Sequence, residues 1–497
     1  MPKYTLHESH EWTGTWWIPG ESDAHDANKT AGILKYSPAV GLTLELIGGW
    51  PYEESELGAD GSIIRRGETK TWPVVHGIAD GQPISLLGVW VTGARTHGML
   101  NMFEGMPDHL ELGAQTALVG CLIDDPAEEA FVGGCASIEK LTAWSGFVGI
   151  GGRRRYLSDG DSFQDRGGSI DFELPEPLVT RVADGLEWTL YQVSNRSMPS
   201  PTRGGRSASV REWTEIEFSS EDARKLEHII DRLDAIADLI SLSSLSACGI
   251  IGMSAFLPPT PELYPEDHPL RNQRHEVSIL HQRITVPTPE KKVGFGGEMV
   301  ITPADLDFGQ LLPAWFRIHE RFSAARSMVL GLRYVSSGYL EPRVVTAVAA
   351  AESFHRALDV LPPIPDEEFD VLRKLLLAAA PKERRGWVSD RLTRNDPTLK
   401  QRLVDLVERL GAAGERLVPN PASWARHAGN ARNLLAHEGT SQDHDFEELY
   451  GVLEVTAAVV VMNFMKELGM DERQLIEAID KHPVLSRAAN EAREKFH

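Results

Sequence analysis

The chain has 497 residues, of which 42% are hydrophobic, so it can form two or three folded domains and is too apolar to be intrinsically disordered. Its formal net charge of −22 excludes a protein that coats nucleic acid through an extensive basic surface, although a small basic groove is compatible with that charge. The three cysteines, Cys121, Cys135 and Cys248, lack CxxC spacing and a nearby histidine pair, so neither a disulfide framework nor a zinc site is expected.

The N-terminal residues, MPKYTLHESHEW, contain no apolar core of a signal peptide. Residues 239–257 are uncharged, but serines and glycines dilute their hydrophobicity. The apolar run Val455–Met465 is too short to cross a bilayer. We therefore expect a cytoplasmic protein without a membrane span.

The first 300 residues have the pattern of a β-rich domain. Leu42, Leu44 and Leu46 alternate with polar residues, which is the period of a half-buried strand. Turn-forming pairs such as Asp80-Gly81 separate runs of this kind. Further predicted strands cover residues 84–91, 116–123, 186–193, 210–218 and 277–286. Many short strands separated by turns favour a sandwich-like body.

One helix interrupts this predicted body. Ser219 and Ser220 are candidate caps for its first turn, and apolar residues recur at helical spacing from Leu226 to Ile236. The charged residues between them would face solvent. We expect the apolar face of this helix to pack against the sheet.

The character of the sequence changes near residue 300. Three prolines and a Gly-Phe-Gly-Gly cluster occur from Val286 to Pro303, and such a composition is typical of a linker. The short connections beyond it favour a helical bundle. We therefore expect an α+β chain with a β-rich domain over 1–300 and an all-α bundle over 301–497. The predicted helices cover 304–330, 340–359, 366–380, 396–411, 422–438, 443–467 and 471–492.

The candidate catalytic motif is the hexapeptide Arg432-Asn433-Leu434-Leu435-Ala436-His437. On a helix, Asn433 and His437 share one face, while Arg432 lies about 140° around the axis from His437. A histidine can transfer a proton near neutral pH, an arginine can bind a phosphate, and an asparagine can orient either group. Leu434 and Leu435 would face the core. These residues suit phosphodiester cleavage in RNA, whose 2′-hydroxyl is the nucleophile, so no metal is needed.

The spacing alone also allows a purely structural interpretation. An arginine and a histidine five residues apart occur by chance in many helices. Arg432 would then form a surface ion pair, and His437 would be a helix-end histidine favoured by the helix dipole.

A local reversal of charge accompanies the motif. Residues 371–402 contain nine Lys or Arg and three Asp or Glu, which suits an RNA backbone, although a solvated helical face has the same composition. The candidate RNA-binding residues are Arg384, Arg385, Arg391, Arg394 and Arg426.

The motif region, WARHAGNARNLLAHEG over residues 424–439, resembles the HEPN ribonuclease superfamily in its ApeA-like branch. Glu352, in Ala-Ala-Glu-Ser-Phe-His, matches the polar residue that this family places in an early helix of the bundle. Residues Gly14–Gly20, Gly32–Tyr36 and the predicted strand ending at Gly48 resemble the ApeA N-terminal domain. The resemblance covers nearly the whole chain.

The resemblance implies a metal-independent endoribonuclease without a cofactor that acts in antiphage defence by abortive infection. It would cleave host RNA, such as tRNA, and leave a 2′,3′-cyclic phosphate and a 5′-hydroxyl. Arg432, Asn433 and His437 would be catalytic. Glu352 could orient Arg432 or His437, or be an ordinary surface carboxylate, and His355 could line the cleft, be packed inside or face solvent.

The same resemblance implies a homodimer or a higher homo-oligomer through the HEPN bundle, with two motif helices facing each other. The N-terminal domain would respond to a phage-derived trigger. The alternative is a non-catalytic HEPN dimerisation scaffold that carries a β-rich domain for a ligand or a protein. An intact Arg-Asn-x-x-x-His motif argues against that alternative, because a scaffold has no need of all three polar residues.

Overall fold

A computed structural model describes residues 3–20, 29–57, 63–96, 107–158, 163–202, 205–284, 299–335, 338–437 and 445–497. The chain divides into a β-rich unit, which comprises most residues up to 294, and a helical unit, which comprises residues 305–497 and short earlier segments. The predicted class, a β-rich region followed by a helical bundle, is confirmed. Most of the predicted linker lies outside the described residues, and the domain boundary at residue 300 stays a prediction.

The strands of the β-rich unit include every strand segment that the sequence predicts, with some bounds shifted. They are β1 His10–Trp17, β2 Thr30–Ser37, β3 Gly41–Ile47, β4 Glu53–Leu57, β5 Ile63–Thr69, β6 Thr71–Ala79, β7 Gln82–Arg95, β8 His109–Val119, β9 Glu129–Ile138, β10 Ile150–Ser158, β11 Phe163–Phe172, β12 Leu178–Arg181, β13 Glu187–Thr202, β14 Gly205–Lys225, β15 Ile250–Leu257 and β16 His275–His281.

The main sheet is antiparallel and closes on itself in part. Its order is β12-β13-β14-β9-β15-β16-β8-β3-β2-β1-β6-β7, and β7 returns to pair with β8. One edge of β8 pairs with β7 along its length, while the other edge pairs first with β3 and then with β16. The six strands β1, β2, β3, β8, β7 and β6 therefore form a barrel-like arrangement, from which the other six strands of this sheet extend. β4 with β5, and β10 with β11, form two separate two-stranded sheets.

The interior of the barrel is apolar. Leu42, Leu44 and Leu46 are buried on β3, as their alternation predicts. Trp16 on β1 is fully buried, and its ring lies over Gly77 on β6. A Cβ atom at Gly77 would come within 2.3 Å of that ring, so only glycine leaves room for the indole at this position.

Within the described part of this unit, two α-helices belong to it in whole or in large part: α1 Leu141–Ser145 and α2 Leu226–Ser244. Most of the apolar residues predicted for α2 are buried, while Ile230 is half-buried, and Ile229 and Leu233 approach Gly134 on β9. The predicted caps, Ser219 and Ser220, are wrong, because both residues lie within β14 and Ser219 pairs with β9 and β13. Sheet pairing on both edges of β14 prevails here over local capping.

The helical unit contains α3 Phe308–Arg321, α4 Ser323–Tyr334, α5 Leu340–Arg356, α6 Asp366–Ala379, α7 Arg385–Arg391, α8 Leu399–Glu408, α9 Ala412–Leu417, α10 Pro421–His437, α11 Phe446–Leu468, α12 Glu472–Lys481 and α13 Pro483–Lys495. Two of the predicted helices are each split into two. Phe322 separates α3 from α4, and the extended backbone of His482 precedes Pro483, whose ring disfavours a helical residue before it.

The long helix α11 is the centre of the bundle and packs against α3, α5, α10 and α13. By length and composition alone, this helix of 23 residues could cross a membrane; the short apolar run Val455–Met465 is only a part of it. However, 89% of its most apolar window is buried inside the protein. A cluster of three aromatic rings holds the helix: Phe464 meets Phe354 edge-on at 4.9 Å, and Phe354 stacks on Phe322 at 4.2 Å.

One polar side chain in this core ties α11 to α8. Asn463 is fully buried, and its amide donates to the backbone oxygens of Leu406 at 3.0 Å and Val459 at 2.9 Å. Its side-chain oxygen accepts from Arg409 at 2.9 Å. Because an unpaired buried amide is costly, these bonds favour one register of α8 along α11.

We expect Gly77→Ala to lower the free energy of unfolding of the β-rich unit by about 1–3 kcal/mol, because the new methyl group overlaps the Trp16 ring in a filled core. The midpoint of urea unfolding, followed by tryptophan fluorescence, measures the change. Gly151→Ala on β10 is the matched control, since the nearest atom to its Cβ is 3.9 Å away. Equal midpoints for the two variants would contradict the packing described for Trp16.

Candidate active site

The motif lies on α10, which buries one face and exposes the other. Trp424, Ala425, Ala428 and Ala431 are buried against the bundle. The neighbours of α10 are α5, α8 and α11. The residues exposed on the opposite face follow helical spacing: Ala422, Arg426, Asn430, Asn433 and Ala436.

The motif residues differ in their exposure according to the face of α10 on which they lie. Asn433 is exposed, and Arg432 is half-buried and donates from Nη1 to Oδ1 of Asn433 at 3.2 Å. His437 is the last residue of α10, and its side chain lies outside the described residues. Leu434 and Leu435 are half-buried, so they enter the core less fully than their apolar character predicts.

The opposite side of α10 is fixed by a contact between a histidine and a glutamate. His427 Nδ1 lies 2.5 Å from Glu448 Oε1 on α11, and the His427 ring lies 5.5 Å from that of Phe496. These contacts restrain rotation of α10 about its axis, and with it the direction in which Arg432 and Asn433 face.

A lysine lies beside the motif. The aliphatic chain of Lys400, the second residue of α8, runs across Gly429 of α10, where a Cβ atom would be 3.5 Å from Cγ and 3.6 Å from Cε of the lysine. Gly429 precedes Arg432 and Asn433 by about one helical turn. A third cation, Arg426, precedes Gly429 by three residues and is exposed. Lys400 and Arg426 therefore add positive charge to the surface that bears Arg432.

Beneath this surface, α5 and α8 are joined by a buried polar network. His355, which is 1% exposed, lies between Asp405 and Arg402 of α8. Its Nε2 is 3.0 Å from the Asp405 carboxylate, and its Nδ1 is 3.2 Å from Nη1 of Arg402. A guanidinium can only donate, so Nδ1 accepts and the ring proton resides on Nε2, which donates to Asp405. Burial lowers the pKa of His355, and the hydrogen bond to Asp405 opposes that effect only in part.

Further charged groups on α5 and α8 have their own partners. Arg402 is 5% exposed, donates from Nε to the Pro397 oxygen at 3.0 Å, and lies 3.7 Å from Asp396. Glu352, one turn before Arg356 on α5, accepts from that arginine at 2.7 Å. Of the two predicted supporting residues, Glu352 is paired with Arg356 on its own helix, and His355 is packed between α5 and α8 instead of lining an open cleft. Their roles stay predictions.

The predicted RNA-binding arginines do not form one cluster with the motif. Arg426 is on α10, while Arg384, Arg385, Arg391 and Arg394 lie in or beside α7. Arg385 donates to the backbone oxygens of Ala380 and Ala378 at the end of α6. Arg391 lies 5.4 Å above the ring of Trp387. The helices α6 and α7 pack on each other and are not among the main neighbours of α10.

Sequence reasoning did not single out Lys400, Arg402 or Asp405. No local pattern separates Lys400 from the other basic residues around it, because its importance comes from the packing of α8 on α10. Arg402 and Asp405 are three residues apart on a helix, and that spacing indicates a shared face but not a buried partner on α5.

The arrangement is suited to an anionic ligand. Arg432, Lys400 and Arg426 supply positive charge, and the amides of Asn433 and Asn430 supply uncharged donors beside it. Among the described residues, no group of three His, Cys, Asp or Glu side chains is placed to hold a metal ion. Metal independence stays a prediction.

His355 should make stability depend on pH. Its folded pKa lies below the unfolded value of about 6.5, so the unfolded chain binds the proton more readily and stability is lost as pH falls below that value. We expect the unfolding midpoint of the wild type in urea to fall between pH 7.5 and 5.5. In His355→Gln, which preserves one acceptor for Arg402 and one donor for Asp405, it should fall less.

One proton can contribute at most about 1.4 kcal/mol per pH unit to that difference. Burial also lowers the pKa of His281, to about 4, but this histidine titrates equally in both proteins and cancels from the comparison. Identical pH dependence in the two proteins would contradict the neutral state assigned to His355.

Two family models match the chain. The model described as ApeA N-terminal domain 1 matches residues 11–315, and the model described as Apea-like HEPN matches residues 345–474. The second match contains α8, α10 and α11, and therefore the whole surface around Arg432. No curated protein and no solved structure matches the chain. The chain belongs to the ApeA family, in which an ApeA N-terminal domain precedes an Apea-like HEPN domain.

Proposed function

We propose that this protein is a metal-independent endoribonuclease of antiphage defence, with Arg432, Asn433 and His437 as its catalytic residues. HEPN domains are generally ribonucleases, and the matched domain contains all three residues. The observation that carries the proposal is the pairing of Arg432 with Asn433 on the exposed side of α10, next to Lys400 and in the same helix as His437.

The chemistry is a transfer within the RNA itself. The 2′-hydroxyl attacks the adjacent phosphorus and loses its proton to a base, the bond from phosphorus to the 5′ oxygen breaks, and that oxygen takes up a proton. The products are a 2′,3′-cyclic phosphate and a 5′-hydroxyl. His437 would transfer a proton, Arg432 would stabilise the charge that develops on the phosphorane oxygens, and Asn433 would orient the phosphate.

A single histidine cannot act as base and acid in the same step, which favours a site built from two chains. HEPN domains commonly dimerise and bind RNA. We propose a homodimer or higher homo-oligomer in which a second α10 supplies the other proton-transfer group. The proposed setting is the cytoplasm, where host RNA, tRNA included, would be cut in abortive infection. The β-rich unit would respond to a phage-derived trigger and restrain the nuclease before infection.

The second candidate is a non-catalytic HEPN scaffold whose β-rich unit binds a ligand or protein. The buried His355 network and the His427–Glu448 pair would serve a scaffold equally well, because both fix helix packing. The exposed Asn433 and the cations around it would have no role in a scaffold, and this observation favours the nuclease.

We expect His437→Ala and Arg432→Ala each to lower RNA cleavage by about 10²–10⁴-fold, because each removes a group that acts in the transition state. Cells that express each protein are infected with phage, and RNA fragments with 2′,3′-cyclic phosphate ends are mapped. Arg493→Ala is the matched control, since this arginine on α13 is exposed and bonds only to Asn490 among the described residues.

Protein levels are measured in the same cells to exclude loss by misfolding. Protection from phage that survives both active-site variants would refute the nuclease and favour the scaffold.

Lys400→Ala should weaken RNA binding several-fold, with a salt dependence reduced by about one phosphate contact. We would measure dissociation constants for a labelled tRNA across several salt concentrations in a His437→Ala background, so that the RNA stays intact. Lys481→Ala is the control, because Lys481 on α12 pairs with Glu477. An unchanged salt slope in Lys400→Ala would show that this lysine does not contact the backbone.

A further inference from the structure

The helix α6 and the short helix α7 form a hairpin that leaves an apolar surface exposed. No residue of either helix is buried. On α6, Leu375 is 63% exposed and Val371 is 58% exposed, and Leu372 and Leu376 continue the same surface. Trp387 on α7 is 65% exposed. A contiguous group of large apolar side chains in contact with water marks an interaction site more often than a solvated surface.

The hairpin is held in its shape by its own hydrogen bonds. Arg373 on α6 donates to the hydroxyl of Ser389 on α7 at 3.2 Å. Arg385 donates to the Ala380 oxygen at 3.1 Å and so binds the carbonyl end of α6. At the other end, the Asn395 amide donates to the carboxylate of Asp366 at 3.2 Å. The apolar surface is therefore presented on a defined scaffold.

The charges of the hairpin are distributed in two halves of opposite sign. The first turns of α6 contain four acidic residues and no base: Asp366, Glu367, Glu368 and Asp370. From Arg373 to Arg385 there are five bases and one acid. The 14 residues of α6 span about 21 Å. The four acids lie at its first end, Arg373 and Lys374 lie near its middle, and the other three bases follow its last residue.

This distribution is self-complementary. Glu368 precedes Val371, Leu372 and Leu375 by three, four and seven residues, so it lies on the same face as this apolar surface. If two copies of α6 pack antiparallel about a two-fold axis near Leu375, Glu368 of each copy comes opposite the region of Lys382 in the other. Leucines meet leucines in the centre, and the two helix dipoles are opposed, which is their favourable arrangement. A two-fold interface requires that one surface complement itself, and the distribution of charge along this surface meets that requirement.

We infer that α6 packs antiparallel against α6 of a second copy of this chain, in an interface separate from the motif helix α10. RNA is a poorer occupant, because the four acids at one end would repel its backbone while the leucines would gain no base to stack on. Since α6 is not a main neighbour of α10, this contact would add to any pairing of motif helices and double the size of the assembly.

Sedimentation velocity of the full-length protein over a range of concentrations tests the interface. We expect Leu375→Asp to halve the mass of the assembly at micromolar concentration and to weaken association at least about tenfold. This variant should fold, because α6 has no buried residue. Tyr339→Asp is the control, since Tyr339 is 83% exposed and lies outside the hairpin.

Charge reversal tests the orientation. Glu367→Lys with Glu368→Lys should dissociate the assembly, and adding Lys382→Glu and Arg384→Glu to the same chain should restore the mass of the wild type. A monomeric wild type, a mass unaffected by Leu375→Asp, or a failure of the fourfold variant to recover would each overturn the inference. So would an unchanged mass accompanied by loss of tRNA binding, which would assign the hairpin to RNA.

Discussion

The helical unit depends on the position of α8, and buried hydrogen bonds determine that position. His355, Arg402 and Asp405 satisfy one another between α5 and α8, and Asn463 ties the end of α8 to α11. Apolar packing alone would tolerate small shifts of a ten-residue helix, whereas a displaced buried donor or acceptor loses its partner. The network therefore gives the bundle a single arrangement.

The same hydrogen bonds also fix the position of the candidate site. Lys400 lies two residues before Arg402 on α8, so the same bonds that fix the helix also fix where its lysine crosses Gly429. On the other side, His427 and Glu448 restrain α10. The candidate site thus consists of exposed residues on helices whose positions are fixed by contacts on their other faces. The exposed groups are therefore well placed without being buried themselves.

Sequence patterns were sufficient to predict the class of each unit and the helix α10. Alternating and helically spaced apolar residues indicate which side of a strand or helix is buried. They were insufficient where distant elements decide. Ser219 has the chemistry of a cap but lies in β14 because β9 and β13 offer it backbone partners. His355 appeared able to line a cleft, and only the packing of α8 buries it. The closure of the barrel by β8 could not be predicted from the sequence either, because no local sequence pattern indicates that a strand pairs with three others.

The apolar helix α11 has a consequence for how the chain is made. A segment with the length and hydrophobicity of a membrane span must be covered soon after it leaves the ribosome, or it exposes its surface to other apolar surfaces in the cell. The order of the chain provides much of this cover, because α3, α5 and α10 are synthesised before α11, whereas α12 and α13 follow it. When α11 leaves the ribosome, several of the helices that cover its apolar surface have therefore already been synthesised.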